Sequence, residues 1–225
     1  AAAYPGLLPG STNTAYARFS FPRRAGAEGE LESFDDPAVL DTIRMNSGTG
    51  VEYTAPEYLW EGDSRLDGAS EGTKGGVEYT IPDVDGGTWP RFYFISRASS
   101  DAIAKYDTVS FDIYLDAPGH DEAILVKMYP ETAEQDKYVQ PNTWVTVTLD
   151  AAEFADLVSR VSTESVGFFW VQNGARETGA VNIIDHIRIA NIRAFNIEDE
   201  RGEAAENEIE FFDDEYSLGN LTVSS

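Results

Sequence analysis

The chain has 225 residues, 42% hydrophobic and 12% aromatic, enough to bury the core of one large β-sandwich or two small domains. Forty acidic residues against sixteen basic ones give a net charge of −24, which argues against nucleic acid and anionic lipid as partners, since both need clustered Lys and Arg. Cysteine is absent, which removes disulfides, thiolate metal sites and cysteine nucleophiles, and no apolar run approaches the ~20 residues of a membrane helix.

Residues 1–29 are rich in Ala, Gly, Pro and Ser and read as a linker or the tail of an upstream unit. The opening Ala1-Ala2-Ala3 carries no charged-then-apolar leader, which we read as a processed or excised start. From Glu30 the pattern changes to short segments of period-2 alternation separated by Gly, Pro, Asp and Asn clusters. Strands are predicted at 76–81, 89–96, 108–116, 123–129, 143–149, 165–171 and 187–196, with turn chemistry at 82–87, 118–121, 141–142 and 173–174. One short helix interrupts them. Asp150 caps it, Glu153 stands three residues on, and Phe154, Leu157, Val158 and Val161 follow at helical spacing. A single helix among many strands predicts an all-β, two-sheet antiparallel sandwich, not an α/β fold with crossover helices.

The tail repeats the start. Glu30-Leu31-Glu32-Ser33-Phe34-Asp35-Asp36 recurs as Glu208-Ile209-Glu210-Phe211-Phe212-Asp213-Asp214, and in the same register Leu40 meets Leu218 and Ile43 meets Leu221. Such a period is too long for a solenoid and suits tandem domains. We therefore expect a domain over 30–199, followed at 200–225 by a linker plus the first strand of a second copy, within a longer multidomain protein.

Alternation places side chains on faces. With Val109, Phe111, Ile113 and Leu115 inward, Asp112 and Tyr114 point outward; by the same count Arg91 and Tyr93, and Lys127 and Tyr129, face away from the core. Three charged residue–tyrosine pairs on one sheet would form a polar-aromatic platform of the kind that stacks on pyranose C–H faces and binds hydroxyls. Within 165–171, Phe168/Trp170 and Phe169/Val171 are both plausible inner sets, so Trp170 is a further candidate, with Gln172 beside it. Trp60 falls in a predicted loop and Trp89 directly follows the turn at 82–87, and for both core and ligand contact are equally open; Trp144, among apolar neighbours, is expected in the core.

Catalytic motifs are missing. Asp83-Val84-Asp85-Gly86 begins like a calcium loop, but its twelfth position is Phe94, where a bidentate Glu is required. His120 and His186 stand alone, and there is no Gly-x-Ser-x-Gly elbow.

The opening strand 30–36, together with Asp107-Thr108-Val109-Ser110-Phe111-Asp112-Ile113-Tyr114, Asn142-Thr143-Trp144-Val145-Thr146-Val147-Thr148-Leu149 and Arg188-Ile189-Ala190-Asn191-Ile192-Arg193-Ala194-Phe195, resembles bacterial extracellular carbohydrate-binding modules with a β-jelly-roll, galactose-binding-like fold. The resemblance implies a jelly roll with sugar bound on a concave face or at the loops. It also implies a structural calcium ion, for which Glu32, Asp35 and Asp36 match the opening acidic cluster and Asp185 is a neighbouring candidate. The family's closing strand usually reads apolar-Asp-Asn-apolar; here Ala190 precedes Asn191. We thus expect a non-enzymatic module, at a cell surface or secreted, that binds a polysaccharide. The rival expectations are a structural or adhesive repeat of a bacterial surface protein and a jelly-roll lyase or glycoside hydrolase.

Overall fold

The computed structural model describes residues 29–47, 53–82, 89–94, 96, 100–128, 136–150, 153, 166–173 and 182–196. The chain is an all-β jelly-roll sandwich of two antiparallel sheets. One sheet runs β3 (Glu57–Trp60), β4 (Gly75–Thr80), β11 (His186–Phe195), β6 (Thr108–Asp116), β9 (Trp144–Asp150), with β1 (Glu30–Glu32) also paired to β11. The other runs β2 (Ile43–Asn46), β5 (Arg91–Phe94), β10 (Val166–Val171), β7 (Ile124–Met128), β8 (Asp136–Val139). A short α-helix, α1 (Ser100–Ile103), lies between β5 and β6. Among the described residues no helix is long and apolar enough to cross a membrane.

The core lies between the sheets, where alternation sends it. Val109, Phe111, Ile113 and Leu115 of β6 face Phe92, Phe94, Val126 and Phe169 of the five-stranded sheet, all fully buried. At its centre Phe111 stacks on Phe169 at 5.1 Å, and Phe169 on Phe92 at 5.3 Å. Offset-stacked rings at these separations add ~0.5–1.5 kcal/mol per pair to the area they bury.

Two bulges adjust the phase of long strands. In β10 the register shifts between Gly167 and Phe169, so Phe168 and Phe169 are both buried in the core while Trp170 turns outward. Phe168 then packs at 5.1 Å on Phe94 and 4.9 Å on Phe111. In β11 the shift falls between Ala190 and Arg193, with Asn191 at φ +46°. Before it Ile187 and Ile189 point inward; after it Ile192 and Ala194 do, and Arg193 is exposed. The same shift lets one flank of β11 pair with β4 through residues 186–190 and with β1 through 192–193.

The first copy of the repeated motif is deeply used. Leu31, Glu32 and Phe34 are fully buried, and Asp36 caps the 3-10 turn Pro37–Asp41 by accepting from the Ala38 N–H at 2.9 Å. Its second copy, 208–225, lies outside the described residues. So does the body of the predicted helix, although its capping box is made: the Glu153 N–H donates to Asp150 Oδ1 at 3.0 Å and the Asp150 N–H to Glu153 Oε2 at 2.9 Å.

Candidate functional site

The outer faces of the two sheets differ. Over the six-stranded sheet the segment 61–74 folds down and is stitched in place. Asp112, outward as expected, is 1% exposed, because its carboxylate accepts from the Ser70 N–H (3.0 Å), Ser70 Oγ (2.8 Å), Thr146 Oγ1 (2.7 Å) and Asn191 Nδ2 (2.8 Å). Leu66 packs against Gly76, where a side chain would collide with it, and Leu59, opposite Gly76 in the sheet, is fully buried. Arg65 holds Glu57, Asp63 and Glu78 at 2.8–2.9 Å, and Arg188 joins Glu78 to Asp116. The Arg65 guanidinium lowers the Glu57 and Asp63 carboxyls, Asp63 to about 2, and is itself raised. Tyr114 lies under the Arg188 guanidinium, 4.5 Å away, and edge-on to Trp144 at 5.8 Å. Trp144 is not in the core as expected: Val147 and Leu149 take the inner side, so alternation turns it outward, where its Nε1–H donates to the Arg65 carbonyl at 3.1 Å.

The expected platform of Tyr93, Tyr114 and Tyr129 on one sheet is therefore corrected. Tyr114 and Asp112 sit on the six-stranded sheet and serve its cover, whereas Tyr93, Arg91 and Lys127 sit on the other. Chain order explains this, since β5, β6 and β7 alternate between sheets. Tyr129 lies outside the described residues.

The outer face of the five-stranded sheet gathers most of the remaining candidates. Register places Asn46, Arg91, Trp170, Lys127 and Asp136 in one row across it, with Arg44 opposite Tyr93 in the next. Trp89, just before β5, packs edge-to-face on Trp170 at 4.5 Å and is half-buried. Trp170 is 7% exposed, and its Nε1–H has no hydrogen-bond acceptor. Lys127 Nζ lies 5.6 Å over the Trp170 ring and 3.3 Å from Asp136; Arg44 lies 4.5 Å over the Tyr93 ring. The face continues into a hollow of about 350 Å³ lined by His120, Glu122, Leu125, Tyr138 and Gln172. Gln172 joins it because its N–H pairs with the Leu125 carbonyl at 2.9 Å. Tyr138 is 68% exposed, one of two large apolar side chains so open among the described residues. The sequence pattern does not single out Tyr138, His120, Glu122 or Arg44, and 136–139 is too short to display a period.

Trp60 is the other such side chain, at 62%, and lies apart. It ends β3, an edge strand and not the expected loop, edge-on to Tyr58 at 4.8 Å.

The four expected calcium ligands do not fit one ion. Glu32 is fully buried and accepts the Phe34 N–H at 2.9 Å; Asp36 is committed to its cap, and Asp35 is exposed beside it. Asp185 precedes the start of β11, whereas β1 pairs near Ile192, a separation of roughly 20 Å at the rise of a strand. Calcium needs six to eight oxygens at about 2.3–2.6 Å. Among the described residues, no group of three or more His, Cys, Asp and Glu is arranged to hold a metal ion.

No family model matches the chain, and no curated protein does. Several solved structures are similar to it, two of them carbohydrate-binding modules. One is a carbohydrate-binding module specific for non-crystalline cellulose, CBM28, at 15% identity and a TM-score of 0.41 over 78% of this chain and 97% of that one. The other is the CBM22-1 xylan-binding domain of Xyn10C from Paenibacillus barcinonensis, at 14% identity and 0.29 over 77% and 99%.

Proposed function

We propose that the chain is a non-catalytic carbohydrate-binding module that holds a polysaccharide along the outer face of its five-stranded sheet and tethers a larger secreted or surface protein to it. The observation that carries this reading is the asymmetry of the sandwich. One face is closed by segment 61–74, while the other gathers Trp89, Trp170, Tyr93 and Tyr138 with Arg91, Lys127, His120 and Gln172. Aromatic faces stack on pyranose C–H groups, and planar polar groups bind hydroxyls.

Affinity electrophoresis against xylan, glucan, mannan and pectin tests the reading. Trp89→Ala and Tyr138→Ala are each expected to cost about 2 kcal/mol, roughly thirtyfold in Kd, as truncated aromatic anchors do. Silence of the unaltered chain across all glycans would leave the rival reading, a structural repeat without a sugar site.

A further inference from the structure

Resting on that reading, we infer that the hollow at the β7–β8 end of this face is a subsite for one neutral pyranose, held by Glu122 through two adjacent hydroxyls. The hollow has about 350 Å³, at the small end of the ~300–1,000 Å³ typical of ligand pockets. Its floor is apolar. Leu125 of β7 turns outward opposite Tyr138 of β8, and Ile183 lies beside them, half-buried like Leu125. Tyr138 stands on the edge strand at 68% exposure, which leaves its ring open to sugar C–H groups.

The polar side of the hollow is formed by His120 and Glu122. Neither side chain makes a hydrogen bond or ion pair with another described residue. A carboxylate accepts at both of its oxygens, so Glu122 suits a pair of neighbouring hydroxyls on one ring, and the imidazole adds a donor and an acceptor. No Lys or Arg is among the described residues that line the hollow. A uronate would bring its own carboxylate against Glu122 with no cation between them, and like charges so placed repel. The fitting ligand is therefore neutral.

The walls are set before a ligand arrives. Asn142, at φ +61°, accepts the Ala117 N–H at 2.9 Å and donates to the carbonyls of Ala117 at 3.0 Å and His120 at 3.2 Å. Gln140 Nε2 donates to the Asp121 carbonyl at 2.8 Å. On the other side Asn173, 1% exposed, accepts the N–H groups of Ile183 and Ile184, each at 2.9 Å. Walls fixed in this way lower the ordering cost of binding.

Isothermal titration of the whole chain against soluble xylan, mixed-linkage glucan, glucomannan, galactan and polygalacturonate tests the inference. At least one neutral polymer is expected to bind more tightly than polygalacturonate. Glu122→Ala should then lower its affinity about tenfold, the loss of one hydrogen bond to a charged acceptor. Glu122→Gln, which keeps one acceptor oxygen, should lower it only several-fold, with the melting temperature of both variants unchanged. Binding by Glu122→Ala within twofold of the unaltered chain would overturn the subsite and leave the glycan reading standing. Polygalacturonate as the tightest ligand would overturn the neutral assignment. Failure of every polymer would overturn both readings.

Discussion

Asp112 offers the sharpest stability experiment in the molecule. Its carboxylate accepts four hydrogen bonds of 2.7–3.0 Å that tie segment 61–74 and the bulge residue Asn191 to the six-stranded sheet. Hydrogen bonds to a charged acceptor contribute ~1.5–3 kcal/mol each, though not additively within one cluster. Asp112→Ala strands the Ser70 N–H and the Asn191 amide, while the partly buried setting admits some water. The net loss should be about 3 kcal/mol, or a Tm lower by roughly 6–12 °C at the ~2–4 °C per kcal/mol of a domain this size. Asp112→Asn should cost only about 1 kcal/mol. With its oxygen turned to Ser70 N–H and Asn191 and its NH₂ donating to Ser70 Oγ and Thr146 Oγ1, an asparagine satisfies all four partners, because both hydroxyls also accept. Calorimetry of the two variants decides the matter. If they melt within about 2 °C of each other, the carboxylate is not the stitch described here.

Four further outcomes follow from the structure. Asp63, held at a pKa of about 2 against an ordinary 3.8, is depressed in the folded state, so its contribution is complete above pH ~4 and disappears as pH falls toward 2; the stability difference between the unaltered chain and Asp63→Asn, followed by urea titration, should vanish over that window. Gly75→Ala should lower the denaturation midpoint by an amount equivalent to about 3 kcal/mol, because the new methyl meets the Phe34 carbonyl and, at 3.0 Å, that of Leu59. Gly72→Ala, with nothing near its side but a φ of +78°, should cost only about 1–2 kcal/mol. Trp60→Ala, at the edge of the other sheet, should leave glycan affinity within about twofold of the unaltered chain; a larger loss would move the proposed site to the Trp60 edge.

Much of the sandwich could be read from alternation, and the exceptions have physical causes. The strand predicted at 108–116 is observed residue for residue, since nine alternating positions leave little freedom of phase. β3 and β8 escaped notice because they are four-residue edge strands with one buried position each, too little to display a period. Bulges explain the β10 ambiguity: Phe168 and Phe169 both entered the core, which strict alternation forbids. The divided platform marks another limit. Alternation tells which side chains share a face of one strand, but sheet membership depends on long-range pairing, and β6 joined the sheet that β5 and β7 did not. Trp89, Arg91, Lys127, Trp170 and Gln172 nevertheless meet on one surface, as residues of β5, β7, β10 and their ends.

The extra residue at Asn191 gives β11 something like a reading frame. Deleting Asn191 would close the bulge and leave Ile189 and Ile192 two places apart and both inward, though without the bonds to Asp112 and Thr73, whereas deleting Arg188 would put Ile187 and Ile189 on opposite faces, an exchange costing several kcal/mol. The length of this closing strand is therefore a counted quantity, and engineering that grafts loops onto the sandwich should spare its middle.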